Sequence, residues 1–392
     1  MTDRDLRALA ARSFRSQFAE RSVECIAVAP GRVNLIGGHV DYNQGLVLPL
    51  AIERQTLLAG SKGRANQGRV FSQLTGQTWK IDLSQPLQRS RHNWENYLLG
   101  VINELQKLGC ELTGFDAVIQ SDLEPGAGLG SSAALEVAFA KFIIALNHLS
   151  VSDLELVQIC QRAEHSFAGV PCGIMDQYSS VFGQKQHLIA LDCETICHEL
   201  IAWPSPQTVL LIINSNAPHQ LVDGEYALRR QQCQSALGKL GLDSFRNADS
   251  ELLEREGHRL DQTELRRATH VINEIERCTE SIKAIQAGDL NAIGQYLYES
   301  HDSLRDLFEV SCSELDCLVD IGREIGAGGG VWGMRMTGGG FGGCVVAIVD
   351  KDHVQNIARE LSARYQSRCG RTASWFVTRP APGARVITAH ES

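Results

Sequence analysis

Three short stretches hold the residue types that could do chemistry. The first is "PGAGLGSSA", Pro125 to Ala133. Glycines at 126, 128 and 130 let backbone N–H groups approach a ligand unobstructed, and the helix pattern that follows offers unpaired donors and the positive end of its dipole. Such a loop binds phosphate. Ser131 and Ser132 can cap that helix, bind a phosphate oxygen or ligate Mg²⁺, and the pair alone does not decide among these. The second stretch is "FAGVPCGIMDQYSSVFGQ", residues 167–184, where Asp176 sits among Ile174, Met175, Val181 and Phe182 with no lysine or arginine within eight residues. A buried carboxylate is costly without a partner, so Asp176 either accepts from a backbone turn or meets a distant cation such as Arg32. An aspartate paired with an arginine could accept or orient a hydroxyl proton. The third, "GRVNLIGGHVDYNQG", Gly31 to Gly45, crowds an arginine, a histidine, an aspartate, a tyrosine and two asparagines onto little side-chain bulk. It suits a ligand rich in hydroxyls. A phosphate cradle, candidate Mg²⁺ ligands and a separate polar loop together suggest phosphoryl transfer from a nucleotide.

Two motif readings are set aside. No lysine follows the first loop in the Walker A arrangement. A G-x-G-x-x-G does occur at Gly338, Gly340 and Gly343, in "MTGGGFGGCVVAIVD", but a strand pattern follows it where a dinucleotide site requires a helix. A glycine turn touching neighbouring backbone or ligand is the reading that fits.

The elements that must position these residues are legible from periodicity. "CIAVAP" and "LVLPLAI" read as strands flanking the polar loop. Residues 94–108 repeat apolar positions at helical spacing, with Asn93 as the expected cap. "FDAVIQSDL" alternates as a strand and runs through the glycine turn into a long apolar helix. A further helix fits "SDLELVQICQRAEHSFAG", with Ser152 as cap and Gly169 beyond its end. On it Val157, Cys160 and Glu164 share one face, which turns the glutamate inward. From "TVLLIINS", residues 208–215, the chain is mainly helical to about Glu324. It then returns to strand at "CVVAIVD", helix at 351–366 and strand at "SWFVT". The shift at "WPSPQ", residues 203–207, divides the chain into residues 1–203 and 204–392.

At 392 residues the chain is long enough for two domains, and 43% hydrophobic with 21% charged residues is a folding composition. A net charge of −9 argues against nucleic-acid binding, which needs clustered lysine and arginine. The twelve cysteines are irregularly scattered, as reduced thiols are, and Cys193, Cys197 and His198 lack a second ligand pair at zinc spacing. "MTDRDLRALAARSF" has no apolar core of a secretion signal, and no apolar run approaches the ~18 residues of a membrane span. The expectation is a cytoplasmic protein that acts on small molecules.

"GRVNLIGGHVDYNQG", "PGAGLGSSAALEVA", "AEHSFAGVPCGIMDQ" and "MTGGGFGGC" resemble, in the same order, the signatures of the galactokinases within the GHMP kinase superfamily. The likeness runs from about Phe14 to about Ile387, and "GLGSSA" is similar to the mevalonate kinase form of the second motif. The resemblance implies an α+β fold: an amino-terminal domain like domain 2 of ribosomal protein S5 and a ferredoxin-like carboxy-terminal domain. It implies transfer of the γ-phosphoryl group of MgATP to the anomeric hydroxyl of galactose by a monomer. By position, Asp176 matches the catalytic aspartate and Arg32 its partner, and Ser132 and Glu164 match the Mg²⁺ ligands. Gly126, Ala127, Gly128, Leu129, Gly130, Ser131 and Ser132 match the phosphate loop, and Trp94 the aromatic beside adenine. His39, Asp41, Gly173 and Tyr226 match sugar-binding positions. At Gly38 the pattern departs, because galactokinases carry there a glutamate that anchors the sugar's C6 hydroxyl. Losing such a bond weakens binding by roughly tenfold to over a hundredfold, or marks a substrate altered at C6. Relatives of the family also serve as sugar and ATP sensors with a shortened serine and alanine part of the loop, whereas "GSSAA" is complete here. An oxidoreductase would rest on the glycines of 338–343 alone.

Overall fold

The structure is a computed structural model that describes residues 3–19, 21–217 and 222–388. In the first half the strands are β1 (Cys25–Asn34), β2 (Leu46–Val47), β3 (Pro49–Lys62), β4 (Gln67–Ser72), β5 (Gln77–Asp82), β6 (Phe115–Ser121), β7 (His187–Asp192) and β8 (Cys197–Ala202). The second half supplies β9 (Thr208–Asn214), β10 (Val331–Met336), β11 (Cys344–Asp350), β12 (Ser374–Thr378) and β13 (Arg385–Thr388). The helices of the first half are α1 (Asp3–Gln17), α2 (Asn93–Lys107), α3 (Ser131–Leu146), α4 (Asp153–Ala163) and α5 (Met175–Phe182). Those of the second are α6 (Val222–Leu240), α7 (Ser250–Glu256), α8 (Gln262–Ala287), α9 (Leu290–Asp306), α10 (Ser313–Ile325) and α11 (Val354–Cys369).

These form a six-stranded sheet in the order β13-β1-β3-β6-β4-β5, a four-stranded sheet β10-β11-β9-β12 and a three-stranded sheet β2-β7-β8. The four-stranded sheet is antiparallel throughout, and its chain order with the intervening helices is that of a ferredoxin-like split βαβ unit. The connection at 203–207 links β8 to β9, which lie in different sheets. The last strand does not stay with the second half. Residues 385–388 cross back to pair with β1, Cys25 opposite Thr388.

Local sequence accounts for most element ends. Helix α3 is apolar nearly all round, as a helix packed on several sides must be, and its Val137, Phe139, Phe142 and Ile143 are fully buried. Ser152 caps α4 by accepting from the Glu155 N–H, as expected. That helix does not run on to Gly169 as a regular α-helix: from Glu164 to Ala168 it widens into a π-turn, closed by Gly169 in the left-handed conformation. Such turns are rare and often mark functional positions. Asn93 is not the cap of α2 but its first residue, with His92 at the capping position and no side-chain capping bond there. The polar loop is also shorter than its motif, because residues 31–34 belong to β1.

Candidate active site

The glycine loop lies between β6 and α3. Gly126, Gly128 and Gly130 all have positive φ, and Gly130 itself occupies the capping position of α3. Ser131 and Ser132 are therefore the first two helical residues and do not cap, which removes one of the three roles open to them. With no side-chain cap and no acidic residue in the first turn, the helix presents free N–H donors to the loop's concave face. Ala127 and Leu129 are buried and hold the loop from behind, so they can meet a ligand only through their backbone. The glycines of 338–343 press against this loop: a Cβ on Gly338 would lie 2.7 Å from the Gly128 carbonyl oxygen. Their function here is close backbone approach, and the strand β11 follows them rather than a helix.

Arg32 is aimed at the loop by a break in register between Pro30 and Arg32 in the β1–β3 ladder. Its N–H donates to the Leu129 carbonyl at 2.9 Å, and its Nη1 donates to the Gly128 carbonyl at 2.6 Å. The rest of the guanidinium meets Asp176 in the first turn of α5, with Nε to Oδ1 at 2.7 Å and Nη2 to Oδ2 at 2.5 Å. Of the two fates open to Asp176, the distant cation is the one observed. A two-pronged pair of this kind fixes both side chains in one plane.

Glu164 is buried at the start of the π-turn, with Ser132 Oγ 3.3 Å from its Oε1. Burial, and then the charge of Asp176, pushes its carboxyl up to about 7. Gln177 Nε2 donates to Glu164 Oε2 at 2.6 Å and to Glu136 Oε2 at 3.2 Å. Glu136 is fully buried, and burial pushes its carboxyl well above the usual range. Sequence reasoning missed Glu136 and Gln177. The signal for Glu136 was available, since a lone carboxylate in the apolar run "AALEVAFA" raises the same question as Glu164. Ser132 and Glu164 offer adjacent hard oxygen donors on the wall of the cavity that the glycine loop lines, which fits Mg²⁺ held jointly by protein, phosphate and water. Among the described residues there is no cluster of three or more His, Cys, Asp or Glu for an all-protein metal cage, at Cys193, Cys197 and His198 or elsewhere.

The polar loop folds on the far side of the Arg32–Asp176 pair. His39 has a left-handed backbone, and its Nδ1 lies 2.9 Å from the Tyr42 hydroxyl. Burial lowers its pKa to about 3, so the ring is neutral. The Tyr226 ring stands 5.7 Å from it, brought in by α6. Asp41 is pushed up to about 6 by burial and by Asp176. Gly173 faces Asp41 so closely that a Cβ there would lie 1.9 Å from Oδ2, and glycine is the residue that leaves this carboxylate in place. From α8, Glu274 Oε1 accepts the N–H groups of Gly37 and Gly38 at 3.0 and 2.8 Å, and His270 Nε2 lies 3.0 Å from the Gly38 carbonyl oxygen. Neither residue, nor Arg335 beside them, was legible from sequence, because they lie in the other half of the chain.

Three cavities run end to end. One of about 530 Å³ is walled by Trp94, Tyr97, Leu135, Gly126 and Ser132. It shares Tyr97, Gly126, Ser131 and Ser132 with a second, of about 810 Å³, that the glycine loop lines. That one shares Arg32, Glu164 and Asp176 with a third, of about 160 Å³, which holds Gly38, His39, Asp41, Gly173, Tyr226 and Arg335. The order is an aromatic pocket, a cavity lined by the glycine loop, an arginine–aspartate pair and a small polar chamber.

Three family models match the chain. The model of the GHMP kinases N terminal domain matches residues 96–184, that of the galactokinase galactose-binding signature residues 12–62, and that of the GHMP kinases C terminal residues 281–367. The chain is 41% identical over 390 residues to the galactokinase of Homo sapiens, covering 98% of this chain and 97% of that one. Its fold superposes on the galactokinase of Lactococcus lactis complexed with galactose with a TM-score of 0.92 at 32% identity, covering 97% and 99%. The mevalonate kinase of Methanococcus jannaschii, at 19% identity and a TM-score of 0.64, shares the fold, with 92% and 99% covered.

Proposed function

Because the chain belongs to the galactokinase family of the GHMP kinases, we propose that the three cavities are its adenine, phosphate and sugar sites and that Arg32 and Asp176 stand at the reacting atoms. The chain is an ATP-dependent kinase that phosphorylates galactose at its anomeric hydroxyl. One observation carries the assignment of residues: the Arg32–Asp176 pair is the shared wall of the phosphate cavity and the small polar chamber. A hydroxyl entering from the chamber meets the Asp176 carboxylate, and a terminal phosphate in the cradle meets the Arg32 guanidinium.

Each residue then has a defined task. Trp94 packs beside the adenine, and backbone N–H groups from Gly126 to Ser132 hold the phosphates. Ser132 and Glu164 would hold Mg²⁺, which when bound screens the phosphate charge. Arg32 neutralises charge on the transferring group, while Asp176 orients and accepts the hydroxyl proton. His39, Asp41 and Tyr226 bind sugar hydroxyls, and the Gly173 backbone leaves room for Asp41. Positioning and charge stabilisation do most of the work in such a transfer. Gly38 takes the place of the family's glutamate, so the sugar's C6 faces Gly38.

The catalytic unit in this reading is a monomer, as the resemblance implies. The domains divide near 203/204. ATP consumption, free thiols at all twelve cysteines and the want of any helix among the described residues long and apolar enough to cross a membrane fit a cytoplasmic setting. The test is the Asp176→Asn variant assayed for galactose-dependent ADP release, with folding followed by thermal unfolding. A folded variant is expected to lose at least about a hundredfold in kcat. Near-normal turnover would remove Asp176 from the reaction, and ATP turnover indifferent to galactose in the unmutated chain would favour a sensor.

A further inference from the structure

One buried charge in the sugar chamber has no task in this mechanism. Arg335, next to last in β10, lies at the Gly38 side of the chamber with only 2% of its surface exposed. Its Nη1 donates to the Leu35 carbonyl at 3.0 Å, its Nε has no hydrogen-bond partner, and among the described residues it has no carboxylate within ion-pair distance. The acid that acts on it is Glu274, whose oxygens are already taken. Oε1 accepts from Gly37, Gly38 and the Ser300 hydroxyl, and Oε2 from Arg277 Nε at 2.9 Å. One carboxylate therefore faces two guanidinium groups, and the neighbouring His39 and His270 are held neutral by burial. A positive charge is left over, and a buried cation without a counter-charge is strongly unfavourable.

Gly38 shows where the missing charge belongs. A Cβ built on it would lie 2.5 Å from Arg335 Nη2 and 3.1 Å from Leu304 Cδ1, so the guanidinium stands where a side chain at 38 would reach. Its φ is not positive, so glycine is not demanded by the backbone. The chamber is therefore uneven in charge: Asp41 lies near enough to Asp176 to feel its charge, while a guanidinium without an ion-pair partner stands beside Gly38.

We infer that Arg335 determines specificity at C6 and that the sugar it selects there carries a carboxylate, so that the chain accepts a hexuronic acid, the C6-oxidised counterpart of galactose, at least as well as galactose itself. The inference rests on the preceding placement of C6 beside Gly38. A carboxylate is planar and matches the guanidinium fork, which a neutral hydroxyl cannot do with both prongs. The chemistry at C1 is unchanged. The bond from the γ-phosphorus to the bridging oxygen breaks with its electron pair leaving on ADP, the O1–P bond forms, and the hydroxyl proton passes by Asp176 to solvent.

The experiment measures kcat/KM of the full chain for D-galactose and D-galacturonate, with sugar binding in the absence of ATP followed by calorimetry. The unmutated chain is expected to bind and phosphorylate galacturonate at least as efficiently as galactose. Gly38→Glu places a carboxylate against Arg335, so it should lower kcat/KM for galacturonate by at least about tenfold and raise it for galactose. Arg335→Lys keeps the charge without the fork and should weaken galacturonate binding more than galactose binding, again by about tenfold. If Arg335→Lys does not fold, the Gly38→Glu comparison decides. Galactose turnover with no binding of galacturonate would overturn the inference and leave the kinase assignment standing. Failure of the folded chain on both sugars would overturn the two together.

Discussion

Gly173→Ala is the sharpest test of how the sugar site is built. The added methyl carbon would lie 1.9 Å from Asp41 Oδ2, 2.4 Å from its Cγ and 3.0 Å from its Cβ. Ordinary contact between such atoms is about 3.5 Å, so the carboxylate must move by well over 1 Å. Gly173 does not have a positive φ, so alanine fits the backbone and the effect falls on Asp41 alone. A hydrogen bond accepted by a carboxylate is worth roughly 1.5–3 kcal/mol, which corresponds to a loss of about tenfold to over a hundredfold in sugar affinity. Because that bond is made in both ground and transition states, the loss should appear mainly in the galactose KM, with kcat and the ATP KM changed less. The assay is steady-state ADP release with galactose and ATP varied in turn, with thermal unfolding to show that the variant folds. A folded Gly173→Ala protein with an unchanged galactose KM would show that Asp41 does not hold the sugar.

Other outcomes follow from the same geometry. Gly130→Ala forces a side chain into a left-handed position 3.0 Å from Arg32 Cγ, so it should cost roughly 1–2 kcal/mol of stability and lower kcat by displacing Arg32, as unfolding and turnover measured side by side would show. Asp41 has its carboxyl raised to about 6, so below that pH it takes up a proton. The galactose KM should therefore rise as pH falls through about 6, and Asp41→Asn should abolish that dependence in a pH series. The same shift lends the unliganded fold stability that is present below the unfolded value of 3.8 and lost as pH rises through about 6. Glu274 is shifted the other way, down to about 2, chiefly by Arg277 and Arg335 against the opposing effect of burial. Its contribution is present above 4.5 and lost as pH falls toward 2. Glu274→Gln, which leaves the buried Arg335 and the half-buried Arg277 without its charge, should cost roughly 3–5 kcal/mol in denaturant unfolding at neutral pH.

The sequence was most legible where structure is local. The shape of the glycine loop could be read because positive φ at Gly126, Gly128 and Gly130 and the free end of α3 depend on a dozen neighbouring residues. The Ser152 cap and the inward turn of Glu164 came from helical spacing in the same way. The π-turn at Glu164 was not legible, since it answers to what the helix meets at its end rather than to the residues within it. Nor was the return of β13 to the first sheet, a pairing across more than three hundred residues that no local pattern encodes.

By itself, then, the chain's sequence determined the local backbone shapes of the candidate site and the order in which they come, because those follow from the torsional preferences of adjacent residues. Tertiary structure alone decided which charges face each other. Arg32 reaches Asp176 across 144 positions, Gln177 ties Glu164 to Glu136, and Glu274 and Arg335 arrive at Gly38 from the opposite half of the chain. Whether a charge is paired depends on distance and on the exclusion of water, and both are set only when the separate elements close around it.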